Sequence, residues 1–236
     1  MSRDLPTPPV PDLARARGET VSALVDWFVD FYNWKGATFN YRTATRGVRS
    51  AYKGVHKLHL LTAACAGETT PVGRSANIDV VNHAAPFAFG RNLQVFDLSR
   101  RRFAFGRDRF AAYRIPFFFV ENEIVHVYYL QPRKYEGLDL DQLGMVATIM
   151  KTYLLDTEFF GLRCDVEFVD VSAPPGSKVR LAQKFSLETL PLWSERRVTD
   201  RLSMLSEALD LVGASGQVLP RRRSRSRPDP EMPLFD

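Results

Sequence analysis

The chain has 236 residues, of which 45% are hydrophobic, 25% charged and 12% aromatic. That usage excludes collagen-like, coiled-coil and wholly disordered chains. The length suits one compact domain plus a tail, with enough buried surface to need no disulfide or metal to fold. The net charge of +5 hides a strong asymmetry. Residues 31–120 carry 14 Lys and Arg against Glu68, Asp79, Asp97 and Asp108, whereas residues 121–212 carry 15 acids against 10 bases. Such a split within one domain predicts a basic face.

The longest uncharged stretches, such as Val80 to Gly90, run about a dozen residues, short of the roughly 20 of a membrane helix. The start, MSRDLPTPPVPDL, lacks the apolar core of a secretory signal. Cys65 and Cys164 make neither a disulfide framework nor a zinc spacing. These features predict a reduced, cytoplasmic protein with no membrane partner and no cofactor.

In chain order, the Pro-rich residues 1–17 predict a flexible leader. Val21, Leu24, Val25, Phe28, Phe31 and Tyr32 repeat at helical spacing, which predicts a helix over 19–34. A second helical pattern covers 42–65, with Val48, Ala51, Tyr52, Val55, Leu58 and Thr62 on one side; Gly47 and Gly54 weaken it. From 76 to 131 the texture is β-like. Leu93–Leu98 and Arg102–Phe105 are expected to pair across Ser99–Arg101. A clearer hairpin joins Ile115–Val120 to Glu123–Leu130 through Glu121-Asn122, with Pro116 at an edge or at the start of its strand.

Asp139 and Gln142 form a capping-box pattern ahead of a helix carrying Leu143, Val146, Ala147, Met150, Tyr153 and Leu154. Val166–Val171 predicts a strand ended by Pro174-Pro175-Gly176. Ser194 caps a last helix bearing Val198, Leu202, Leu205, Leu209 and Val212. The order predicts an α+β fold: a single domain over 18–212 with a mostly antiparallel sheet packed by helices. Residues 213–236 are expected to form a disordered basic tail.

Two sets of residues suggest a function. Arg42, Arg46, Arg49, Lys53 and Lys57 fall on one helical arc, with no acid between Phe31 and Gly67. Like charges at such spacing repel, and a polyanion relieves that repulsion. A solvated basic face, or ion pairs to the acidic second half, accounts for the same pattern. Arg100, Arg101 and Arg102 add to the expected nucleic-acid-binding set, with Arg107, Arg109 and Arg114 close behind. Phe103 and Phe105, interleaved there, suit either stacking on unpaired bases or the core face of a strand.

The second set is the end of the chain. After Arg221-Arg222-Arg223-Ser224-Arg225-Ser226-Arg227 comes Glu231-Met232-Pro233-Leu234-Phe235-Asp236. This ending resembles the peptide by which bacterial polymerases and mismatch-repair proteins bind the β sliding clamp: Gln, then Leu or Met, a small or acidic residue, Leu and Phe. The resemblance implies that Met232 fills a first apolar subsite and that Leu234 and Phe235 fill a deep pocket. Pro233 would stiffen the backbone between them. Glu231 departs from the usual Gln. The implied protein is a DNA-associated repair or replication accessory, or a toxin-like inhibitor of the clamp.

Enzymatic chemistry is sparse. His56 and His59 lack further metal-ligand partners in sequence, and Asp165 with Glu167 shares a strand face that could hold magnesium. The helix–strands–helix–strand order resembles the PD-(D/E)XK nucleases. Their Glu-x-Lys would become Gln131-x-Arg133, losing a carboxylate, and Asp79 would be a candidate for their lone aspartate. The alternatives are thus a metal-dependent nuclease recruited by the same tail, or an interaction domain that binds an acidic protein.

Overall fold

The computed structural model describes residues 5–34 and 39–219. The helices in the first part are α1 (Val10–Arg15), α2 (Val21–Asn33), α3 (Arg42–Tyr52), α4 (Leu58–Ala63) and α5 (Pro71–Ala84). Strands β1 (Gln94–Phe96), β2 (Arg102–Phe105), β3 (Arg109–Ala112), β4 (Phe117–Glu121) and β5 (Ile124–Gln131) follow. Next come α6 (Leu140–Met150), which runs on through a π turn at Lys151–Leu155 into the short α7 (Asp156–Glu158), then β6 (Cys164–Asp170), β7 (Gln183–Phe185) and α8 (Glu195–Ser215).

The described strands form a five-stranded sheet in the order β1-β4-β5-β6-β7 and a separate β2-β3 hairpin. Every pairing is antiparallel except β5 with β6. Parallel neighbours need a long crossover, and α6 supplies it. The fold is therefore α+β with a mostly antiparallel sheet. Val127, Tyr129, Val166 and Phe168 face one core, shared with α1, α2, α6 and α8. Phe117, Phe119, Tyr128, Leu130 and Val169 face the other, shared with α3, α4 and α5. No described helix is long and apolar enough to cross a membrane.

Local signals explain several elements. Thr20 accepts from Ala23 N at 3.2 Å to start α2. The Asp139–Gln142 capping box forms in both directions, at 2.8 and 3.1 Å. Ser194 caps α8, and Gly216, at φ 71°, ends it. The expected helices over 19–34 and from Asp139 and Ser194 are thus present, as is the 115–130 hairpin. Its turn falls one residue later, on Asn122 and Glu123, both at positive φ.

Other expectations need correction. The leader is not loose from residue 10 onward: Val10 and Leu13 are completely buried and α1 packs on α6. The 42–65 pattern is two helices, because Gly54 takes φ 96° and breaks it. The break lets α4 fold back on α3 so closely that a Cβ on Gly47 would meet Leu61 O at 2.8 Å. Residues 71–84, expected in part as β, are helical. Thr70 accepts from Gly73 N at 3.1 Å, and Pro71 suits the first turn, where its missing N–H costs nothing. Finally, β1 pairs with β4, and β2 with β3, so the expected pairing of 93–98 with 102–105 is absent.

Candidate nucleic-acid interface

A cleft of about 770 Å³ opens where α1, the start of α3, the 98–102 loop, the β3–β4 connection and the end of β5 meet. Arg15, Arg42, Arg46, Arg100, Arg101, Arg102, Arg114 and Arg133 line it, and among the described residues no Asp or Glu does. Two segments far apart in sequence, 42–46 and 100–102, are thus brought to one surface. Arg42, Arg46, Arg100 and Arg102 are exposed there.

The floor of the cleft is an ordered polar layer. Arg15 donates to Asp12 Oδ1 at 2.8 Å, to Gln131 Oε1 at 2.6 Å, and to the carbonyls of Pro11 and Glu136 at 3.2 and 3.0 Å. Gln131 donates in turn to Glu136 O at 2.6 Å. Asp12, only 2% exposed, also faces Arg133 at 3.3 Å and Arg114 at 3.6 Å. The buried Asp12 thus serves three guanidiniums, one of which, Arg133, also pairs with Glu136 at 2.8 Å, and three cations against two carboxylates leave a positive excess. Arg114 holds φ 60°, a conformation that costs a non-glycine residue about 1–3 kcal/mol and recurs at functional sites. Burial pushes the Tyr129 phenol up, against the pull of Arg15. Tyr113 is buried with its hydroxyl unpartnered, and burial likewise raises its phenol.

Not all of the expected basic arc reaches this cleft. Arg49 is paired with Asp97. Lys53 follows the last turn of α3, and Lys57 precedes α4 beyond the break, so neither continues the Arg42–Arg46 row. Arg101 reaches Glu158 at 2.9 Å while still lining the cleft. Arg109 pairs with Asp210 at 2.6 Å. Phe103 and Phe105 belong to the core, stacked on each other at 5.5 Å, and are not available to bases. Arg114 was expected close to the arc, whereas Arg15 and Arg133 were missed as its partners. Their contribution depends on tertiary placement, and no local pattern announces it.

The carboxylates named for a nuclease do not meet. Asp79 pairs with Arg180 at 2.6 Å, and Arg180 also donates to Pro132 O and Val171 O, at the end of β6. Asp165 lies at the start of β6, where Oδ1 accepts from Val166 N and Leu187 N. Six residues of strand separate these ends, about 20 Å. Glu167 is buried and bonded to Tyr52 and Arg91. Gln131 and Arg133 stand side by side at the cleft floor, both occupied as above. His56 lies against the Phe89 ring, and His59 is exposed on α4. Among the described residues no group of three or more His, Cys, Asp or Glu comes together. The clamp-type peptide, Glu231 to Phe235, lies outside the described residues.

No family model matches the chain, and no curated protein matches it significantly. Among solved structures, the chain is similar to the crystal structure of SSO0001 at 15% identity and a TM-score of 0.32. The match covers 79% of this chain and 84% of that one.

Proposed function

We propose that the protein is a bacterial DNA-associated binding protein that holds a phosphodiester backbone in its arginine cleft. The C-terminal peptide, Glu231 to Asp236, would attach it to the replication sliding clamp. The observation that carries the first half is the convergence of Arg42 and Arg46 with Arg100, Arg101 and Arg102 on a cleft that, among the described residues, no acid lines. Guanidiniums fork onto phosphate oxygens, and each phosphate neutralised releases counterions, which gives affinity without sequence reading. Fixing Arg15 and Arg133 through Asp12 and Gln131 lowers the ordering cost of binding. The clamp half rests on the sequence resemblance, and the basic segment 221–227 suits a tether held near DNA.

On this reading the protein binds and catalyses nothing itself, serving as a repair or replication accessory or as a blocker of the clamp groove. A nuclease would need carboxylates free in the cleft, and Asp12 is taken by three arginines. Calorimetric titration against a bacterial sliding clamp tests the tether. Micromolar binding, about −8 kcal/mol, abolished by Leu234→Ala/Phe235→Ala is expected. Binding indifferent to that change, or none, contradicts it.

A further inference from the structure

The arginine cleft does not end at Arg133. Tyr41 and Arg133 also line a second groove of about 710 Å³, walled by Trp34, Phe39, Val72 and Tyr135. Tyr135 is 71% and Trp34 56% exposed. The Phe39 and Tyr41 rings meet edge to face at 5.3 Å, and the Lys134 ammonium sits 5.4 Å from the Tyr135 ring. The acids here, Asp79 and Glu136, are paired with Arg180 and Arg133 at 2.6 and 2.8 Å. A row of arginines thus runs directly into a wall of aromatic faces.

Resting on the phosphate-binding reading of the cleft, we propose that the continuous cleft and groove bind single-stranded nucleic acid. The backbone would lie along the arginines, and unpaired bases would stack on Tyr135 and Trp34. In a duplex the π-faces of the bases are covered by their neighbours, so exposed rings beside the cleft offer it nothing. A single strand presents both phosphates and open base faces, and base–aromatic stacking tolerates any sequence. The apolar wall adjoins the arginine cleft, and its own two acids are paired with Arg133 and Arg180, which matches such a strand better than an ordinary apolar peptide.

The test is fluorescence anisotropy with full-length protein against labelled oligothymidylate, oligouridylate and a duplex, each of about 20 nucleotides. Either single strand should bind at least tenfold tighter than the duplex, and the tighter of the two identifies DNA or RNA as its source. Trp34→Ala/Tyr135→Ala changes two exposed side chains, so the melting temperature should hold. That variant should lose about tenfold or more in single-strand affinity and none for duplex. Equal single-strand and duplex binding, or an unaffected double variant, overturns the proposal. If Arg46→Glu/Arg102→Glu still weakens binding in that case, the cleft reading survives; if no nucleic acid binds at all, both fail.

Discussion

Arg91 and the cleft arginines are balanced in opposite ways. Arg91 grips Glu121 with two bonds, at 3.1 and 2.6 Å, reaches Glu167 at 3.0 Å, and lies against the Tyr52 and Phe119 rings. There, two carboxylates and two aromatic faces surround Arg91, with the Lys184 ammonium 3.8 Å from Glu167. In the cleft, Asp12 faces three cations, with Glu136 also on Arg133 and Glu158 on Arg101, and further arginines stand around them. Burial tolerates a charge when its partners are complete. The first cluster therefore needs nothing from outside, whereas the second keeps a positive excess that an anion would complete. On the proposed reading, the first cluster serves stability and the second binding.

Removing Arg91 should break the first region most severely. Arg91→Met leaves Glu121 and the buried Glu167 with only the more distant Lys184 as a cation among the described residues, and we expect a loss of roughly 3 kcal/mol in urea unfolding. Nucleic-acid affinity of the folded protein should be unchanged. A loss of affinity without a loss of stability would reverse the roles assigned to the two regions.

A smaller effect concerns acid stability. His126 stacks on Phe119 at 4.9 Å, beside the Arg91 cluster, and burial holds its pKa below the ordinary 6.5. The unfolded chain therefore takes up a proton that the folded chain refuses. Stability should fall as pH drops through 6.5 toward the lower folded value, by at most about 1.4 kcal/mol per pH unit for one proton. His126→Phe keeps the stacking and should flatten that slope, measured by urea unfolding between pH 7 and pH 5. Glu121 acts in a lower window. Its bond to Arg91 holds its pKa below the ordinary 4.5, so its contribution is present above that value and is lost only as pH falls through the depressed one.

The smallest effect sharpens the boundary of the binding region. Lys53→Glu/Lys57→Glu reverses two exposed charges outside the cleft. Affinity should change less than threefold, through long-range attraction alone. A drop as large as that from the cleft arginines would restore the whole 42–57 arc as the contact surface.

Much of the fold was legible where the signal is local. Thr20, Asp139 and Ser194 are caps whose hydrogen bonds close within three residues, and the α2 and α8 apolar rows need no distant partner. α5 was obscured because its middle carries Asn77, a poor helix former. That side chain is buried because it accepts from Ala44 N and donates to Asn40 O, which are visible only once α3 is in place. The sheet partner of β1 was hidden for a similar reason, since β4 is the nearer neighbour in space and β2 in sequence. The basic arc illustrates both outcomes. Arg42 and Arg46 were found by spacing, Lys53 caps the far end of α3 outside the cleft, Lys57 is cut off by the φ of Gly54, and Arg15 and Arg133 joined them through Asp12.

The salt dependence of DNA binding by wild type and by Arg46→Glu/Arg102→Glu tests the central claim most directly. Both side chains are exposed, so the variant should unfold within about 0.5 kcal/mol of wild type. The account predicts at least a tenfold loss of affinity at fixed salt and a logarithmic slope shallower by about two, one for each phosphate contact removed. An unchanged affinity and slope in the folded variant would contradict it.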